Sequence, residues 1–511
     1  MLARFLVPAV LALAAGCGGG GGGGPSGPTP TATPRQTPIP VFTPVRATPT
    51  PSPTPTPPPG AAQVILSEGD TVAGNLRVND IREAALAPDR QIAVIVRAAG
   101  SEARQVIRRK QDGSFESVFD ASKAPAGLDL TTLGDLQSSD DGSVLFTGGD
   151  GIDTDQLYLA TAGSTAVALA GASPGIEKPE FRILGAQDLG PDGVAAFVGG
   201  GDPCMTDEEG STRCDVHLYV TEGATPTEIV VEDNDLKNQN PRSPRAIVAD
   251  DGATYFSVRG SGQEPVLLRV SGGDVETLLS VDSEVPGVEG LINPTLEAVG
   301  SNGRFVVTTS LRADEPPRSL VLGILTIAGG TSSFTEISRI GMARGTDSVV
   351  RLQTIGIDDQ GAVLFLETLE ETGSEAEDPP QHPALRLFDG AGTVDVAVEG
   401  EKLPGSDEFV IELRDPYFNH RGEVGLVAEL GQIVQNPSGP TTTPRGTDVL
   451  VRSRAGVYSA RLPSEDSAEG VVFEGSELQG LDDAGTILAI GARQDENDEL
   501  LLLVPPPPAT P

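Results

Sequence analysis

The chain has 511 residues, 38% of them hydrophobic and 21% charged, with 63 Gly, 43 Pro, 3 Cys, 3 His and no Trp. Glycine and proline together make about a fifth of it, too much for a helical bundle or coiled coil and without the triplet period of collagen. The formal net charge is −38, and residues 1–60 hold three arginines and no acid, so the negative charge belongs to the rest of the chain. Such a body repels phosphate backbones and anionic lipid surfaces, which excludes nucleic acid as a partner and requires any membrane attachment to come from something other than a basic patch.

Residues 1–16 read as a signal peptide: Arg4 in a short n-region, an apolar run Phe5–Ala15 too short to cross a bilayer, and then Ala14-Ala15-Gly16 directly before Cys17. Small residues followed by cysteine resemble the bacterial lipoprotein signal. The usual leucine three residues before the cysteine is replaced by Ala14, with Leu13 one place further back. The resemblance implies that Cys17 becomes an acylated N-terminus anchored in the membrane of a bacterial cell envelope, outer membrane, periplasmic or surface-exposed. An ordinary signal cleaved nearby is the alternative. Gly18–Gly24 and a Pro/Thr tract to Gly60 follow, and alternation such as Thr48-Pro49-Thr50-Pro51 cannot bury a core. Residues 17–60 are therefore expected to form a disordered stalk on the order of 100 Å long when extended.

From residue 61 to 504 a pattern recurs in which polar or acidic residues and a glycine precede a short apolar run. It appears as Asp140-Asp141-Gly142, Pro191-Asp192-Gly193, Asp250-Asp251-Gly252, Ser301-Asn302-Gly303, Asp359-Gln360-Gly361, His420-Arg421-Gly422 and Asp483-Ala484-Gly485, with Pro88-Asp89-Arg90 as a degenerate first copy. Each predicts a tight hairpin between two strands. Second hairpins are expected at Gly113, Gly163, Gly223, Gly272-Gly273, Gly329-Gly330, Gly390 and Gly456, one fewer than the first set. The missing half lies at the other end of the chain. Val64–Gly69 with Gly74 matches Val396–Gly400 with Gly405, so Gln63–Ser67 is expected to complete the eighth unit beside Leu500–Val504.

These readings predict an all-β fold, an eight-unit β-propeller-like ring closed by the N-terminal strand, which hides its sheet edges by radial repetition. An open stack of sheets or two sandwiches fits the same repeats. Residues 505–511 form a Pro-rich tail. The repeats also resemble the exported choice-of-anchor tandem-repeat proteins, whose core pattern is Asn-x-x-Gly-x-x-Ala. Asn419-His420-Arg421-Gly422 carries its first half and Gly193-Val194-Ala195-Ala196 its second. That resemblance implies an exported, propeller-like protein and no particular activity.

Little in the sequence points to chemistry. Cys204 and Cys214 bracket Met205–Arg213 and are expected to form a disulfide at the base of a loop in an oxidising compartment. His217, His382 and His420 fall in different units and read as ordinary surface or strand residues, so no metal or catalytic residue is assigned. Gly171-Ala172-Ser173-Pro174-Gly175 occupies a turn position rather than the strand-to-helix elbow that a nucleophile needs. Ser138–Gly142 is similar to the Asp-box turn of sialidase-like propellers, a structural device. Asp150, Asp153 and Asp155 read as a solvated acidic loop without the spacing of a calcium loop. No cofactor motif appears. Two functions remain: a non-catalytic propeller that displays or binds protein or glycan, and a propeller enzyme acting on extracellular glycans through channel-facing carboxylates.

Overall fold

The computed structural model describes Ala12–Leu13 and residues 62–506, apart from 124–129, 131, 150–155, 171–180, 207–211, 230–244, 262–264, 280–284, 286–290, 312–319, 373–378, 437–438, 463–466, 469–470 and 494–498. Cys17, the linker, the Gly171–Gly175 string and Asp150, Asp153 and Asp155 lie outside these residues. Strands account for nearly all the regular structure, with single 3-10 turns at Ala121–Lys123 and Ser301–Gly303. No helix among the described residues is long and apolar enough to cross a membrane.

Eight sheets form the blades of a propeller, antiparallel except where Ala12–Leu13 runs parallel to Thr254–Ser261. Their inner strands, in chain order, are Leu76–Leu86, Thr132–Ser138, Phe181–Leu189, Arg245–Val248, Leu291–Gly300, Asp347–Ile357, Phe409–Phe418 and Val471–Leu481. Every blade then steps outward by hairpins; the second blade runs Thr132–Ser138, Val144–Gly149, Gln156–Ala160 and Val167–Ala170. The eighth borrows its outer strand from the other end of the chain: Gln63 pairs with Leu503, Val64 with Leu502, Leu66 with Leu501 and Ser67 with Leu500. The ring is closed as expected, and this excludes the open stack and the sandwiches.

The recurring turns explain the hairpins. In seven of them a glycine four residues after the last inner-strand position, or three at Gly303, turns the chain back with positive φ: +85° at Gly142, +74° at Gly193, +75° at Gly252, +69° at Gly303, +86° at Gly361, +81° at Gly422 and +76° at Gly485. Glycine accepts this region without a Cβ penalty. Arg90 occupies it at +68° in the degenerate copy, where its Nε also donates to the buried Asp482 carboxylate of the eighth blade at 3.0 Å. Four residues beyond the turn, Phe146, Phe197, Phe256 and Phe365 are fully buried in the second strands.

The core is divided among the blade interfaces. Ile107 and Leu501 share one apolar cluster, Val106 and Phe146 the next, Leu145 and Phe197 the third, and Ala196 and Phe256 the fourth. Tyr255 with Phe305, Val306 with Phe365, Leu364 with Leu426, and Val427 with Leu502 complete the circle. Inner strands are also tied by side-chain acceptors from the preceding blade. Gln479 Oε1 accepts from Ala84 N at 3.1 Å, Glu83 Oε1 from Leu136 N at 3.1 Å, Asp188 Oδ2 from Val248 N at 2.8 Å, and Glu399 Oε1 from Leu413 N at 2.8 Å. Bulges shift the register of seven of the eight inner strands, and one of them, between Gly134 and Gln137, spans the Leu136 amide.

Candidate functional site: an acidic channel mouth

The first residue after the buried start of each turn occupies one equivalent position in all eight repeats: Pro88, Asp140, Pro191, Asp250, Ser301, Asp359, His420 and Asp483. Because the turns cap the inner strands, these positions gather at one end of the central channel. His420 Nδ1 lies 3.6 Å from Asp250 Oδ2 and 3.5 Å from Asp483 Oδ2. One ligand atom from each of Asp250, Asp359 and His420 falls within 4.8 Å of the others. Side chains from the fourth, sixth, seventh and eighth blades thus meet at the mouth.

Backbone bonds fix the turns against one another. Asp359 N donates to His420 O at 3.0 Å, His420 N to Asp483 Oδ1 at 3.1 Å, Asn419 Nδ2 to Asp482 O at 2.9 Å, and Asp89 N to Asp140 Oδ1 at 2.7 Å. The buried residues that start the turns serve as caps: Asp358 Oδ1 accepts from Ala362 N at 2.7 Å and Asp482 Oδ1 from Thr486 N at 2.6 Å. The Asp141 carboxylate likewise bonds its own turn, accepting from Ser143 N at 2.7 Å, so the Asp-box-like string is structural here.

Charge at the mouth is unbalanced. The hydrogen bond to Asp483, reinforced by the Asp250 and Asp359 charges and opposed by burial, pushes the His420 imidazole up to about 9. The same bond holds Asp483 below the usual carboxylate range. Asp140 is raised, chiefly by burial, with the neighbouring Asp89, Asp483 and Asp250 charges acting in the same direction. At neutral pH one imidazolium therefore stands among four carboxyl groups. The Asp359 carboxylate has no hydrogen bond or ion pair among the described residues.

Behind the mouth lies a cavity of about 1270 Å³ lined by inner-strand residues including Glu83, Asp188, Arg245 and Glu297, and by Tyr255 of the fourth blade's second strand. Arg245 Nη2 lies 3.8 Å from Glu297 Oε2. Burial pushes Asp188 up to about 6 and raises Glu297 against the opposing effects of Arg245 and Thr308. Two carboxylates and one imidazole can hold a transition-metal divalent ion such as Mn²⁺ or Zn²⁺, whereas Ca²⁺ takes all-oxygen sets. Asp250, Asp359 and His420 are the residues that could hold one, and the open side would leave positions for water or ligand.

His420, read from the sequence as an ordinary surface or strand residue, stands half-exposed at the mouth within 3.6 Å of Asp250 and 3.5 Å of Asp483. His217 and His382 sit elsewhere, paired with Glu228 at 2.7 Å and Asp347 at 3.4 Å. The expected loop between Cys204 and Cys214 is instead a hairpin extension, with strands Ala195–Thr206 and Thr212–Glu222. Gly201 pairs with Asp215 and Met205 with Arg213, so the backbone register sets the bulged segment 202–204 opposite Cys214. The cysteine side chains lie outside the described residues. The channel carboxylates went unassigned from sequence, although aligning the repeats on their turn residue would have put Asp140, Asp250, Asp359, His420 and Asp483 in one column.

No family matches the sequence, and no curated protein matches it. Among solved structures, the chain is similar to an oligogalacturonate lyase in complex with manganese, at 11% identity over 88% of this chain and 99% of that one, with a TM-score of 0.38. It is also similar to the Dos1 propeller, at 8% identity over 87% and 94% with a TM-score of 0.37. Dipeptidyl peptidase 4 of Porphyromonas gingivalis follows at 12% over 82% and 58%, with a TM-score of 0.42. None of these likenesses bears on what this channel holds.

Proposed function

We propose that this protein is a lipid-anchored binding propeller of a bacterial cell envelope, tethered through Cys17, that takes a positively charged group of a protein or glycan at its channel mouth. The observation that carries the binding site is the clustering of Asp250, Asp359 and Asp483 about His420, with the Asp140 carboxyl within reach of the Asp250 and Asp483 charges. Carboxylates held at fixed positions on rigid turns attract a cationic ligand without paying to reorganise, and the body's negative charge steers it inward. The family resemblance to exported tandem-repeat proteins is consistent with a surface role, and the register opposite Cys214 is compatible with a Cys204–Cys214 disulfide.

Fluorescence anisotropy with labelled oligolysine and chitosan oligomers, beside neutral and uronate-bearing glycans, tests the reading. A cationic probe should bind, weaken as salt rises, and lose at least tenfold in affinity in the Asp250→Asn/Asp359→Asn double variant, with His217→Gln unchanged. Equal binding by uronates, or an unaffected double variant, would refute it. Metabolic labelling with an alkyne fatty acid should mark the wild type and leave Cys17→Ser unmarked.

One observation favours a second reading, a glycan-cleaving enzyme: Arg245 and Tyr255 line the same cavity as the carboxylates. Release of reducing ends from a neutral or amino-sugar glycan, abolished in Asp250→Asn, would establish it.

A further inference from the structure

The cavity behind the mouth does not stop at the channel. Among its described lining residues, the first, second, third, sixth and seventh blades contribute positions of their inner strands and turns only. The fourth blade adds Tyr255 of its second strand, Arg269 of its third and Leu278 of its fourth, and the fifth adds Phe305 of its second and Ile327 of its third. A cleft therefore runs outward between these two blades. Its floor is the edge-on pair of Tyr255 and Phe305, both buried, with ring centroids 5.4 Å apart. Ala249, Leu278, Val299 and Ile327 stand half-buried around that pair. The turns at 250–252 and Ser301–Gly303 form the rim, and no hydrogen bond among the described residues joins them across it. At the next joint, by contrast, Ser301 Oγ donates to Asp359 O at 2.9 Å.

Ala249 directly precedes Asp250, and Val299 lies two positions before Ser301, so the apolar walls begin beside the mouth carboxylates. Farther out, the Arg269 guanidinium, a third exposed, sits 3.7 Å from both Asp251 and Glu276, beyond hydrogen-bond reach of either. It can still donate to a ligand carbonyl. An apolar slot opening off a carboxylate cluster matches a ligand in which a cation and a bulky apolar group are neighbours. Amino-sugar polymers carry the cation without such a group, whereas a polypeptide carries both on adjacent side chains. We infer, resting on the mouth as a cation site, that the partner taken there is a protein segment rather than a glycan: its lysine or arginine meets Asp250 and Asp359 while a neighbouring aliphatic side chain enters the cleft between the fourth and fifth blades.

Two labelled peptides of equal charge, acetyl-Leu-Lys-Leu-Lys-Leu-amide and acetyl-Ser-Lys-Ser-Lys-Ser-amide, separate the cleft from the mouth in anisotropy titrations. The leucine peptide should bind about tenfold more tightly or better, the gain expected from burying one aliphatic side chain. Leu278→Asn/Ile327→Asn should erase that difference and leave the serine peptide's affinity as it was, whereas Asp250→Asn/Asp359→Asn should weaken both peptides alike. Equal binding of the two peptides by the wild type would overturn the cleft and leave the mouth standing; no binding of either would overturn both. Chitosan oligomers that bind more tightly than the leucine peptide would overturn it in favour of a glycan. Should the variants fail to fold, the wild type decides. A leucine peptide carrying photo-leucine should crosslink to the segments around Leu278, Val299 or Ile327, and crosslinks confined to other parts of the surface would reject the cleft.

Discussion

Replacing His420 by glutamine removes the imidazolium that stands between Asp250 and Asp483 while keeping a hydrogen-bonding side chain. The histidine is raised from 6.5 to about 9 by its bond to Asp483 and the charges around it. Fully expressed as stability, that rise would correspond to about 3 kcal/mol. The side chain is 39% exposed, however, and solvent screening brings the contribution to about 1–2 kcal/mol. A group raised in the folded state gives its stability in full below its unfolded value, near 6.5, and loses it as pH climbs through about 9. For a body of this size the difference amounts to about 1–2 °C in melting temperature. Calorimetry of wild type and His420→Gln at pH 6 and pH 9.5 measures it: the variant should melt lower at pH 6, and the gap should close at pH 9.5. A gap that persists unchanged at alkaline pH would show that His420 acts by packing rather than charge and would refute the reasoning.

Four further perturbations probe the scaffold and the channel. Gly303→Ala places a Cβ 2.2 Å from the Ile327 carbonyl oxygen at φ +69°, and thermal unfolding should show a loss of about 3 kcal/mol. Gly390→Ala, at φ +89° with nothing within 4 Å, should cost only about 1–2 kcal/mol in the same assay. Glu367 is fully buried between Arg344, at 2.6 Å, and Arg386, at 2.8 Å; its replacement by alanine leaves two guanidinium groups without their counterion and should cost about 3–5 kcal/mol in urea unfolding. Asp188 rises to about 6 on burial, so the wild type loses stability between pH 4 and pH 6 that Asp188→Asn keeps. Relative to wild type, that variant should gain about 2–3 kcal/mol on going from pH 4 to pH 8.

The fold was readable because each repeat writes its own turn. Glycine is needed where the chain reverses at positive φ, and seven of the eight copies have it; counting second hairpins then exposed the strand that closes the ring. Arg90 shows how such a signal fades, since an ion pair to Asp482 accompanies a conformation that glycine adopts freely. The mouth was less legible for a physical reason. Its successive turn positions are separated by 51 to 63 residues in sequence, as between Asp250 and Ser301 or His420 and Asp483, and no short motif joins them. They meet only because the ring returns each turn to one axis. The acids Glu83, Asp188 and Glu399 were equally hidden, because alternation within a strand does not reveal which inner-strand amide of the next blade its side chain will meet.

The central claim, that the channel mouth is a site for positive charge, is tested most directly with a small cation that can be located. Crystals of the protein soaked in Mn²⁺ and measured at the manganese absorption edge should give their strongest anomalous peak among Asp250, Asp359 and His420, and Asp250→Asn/Asp359→Asn crystals should lose it. An empty mouth in crystals that bind manganese elsewhere on this acidic surface would contradict the account.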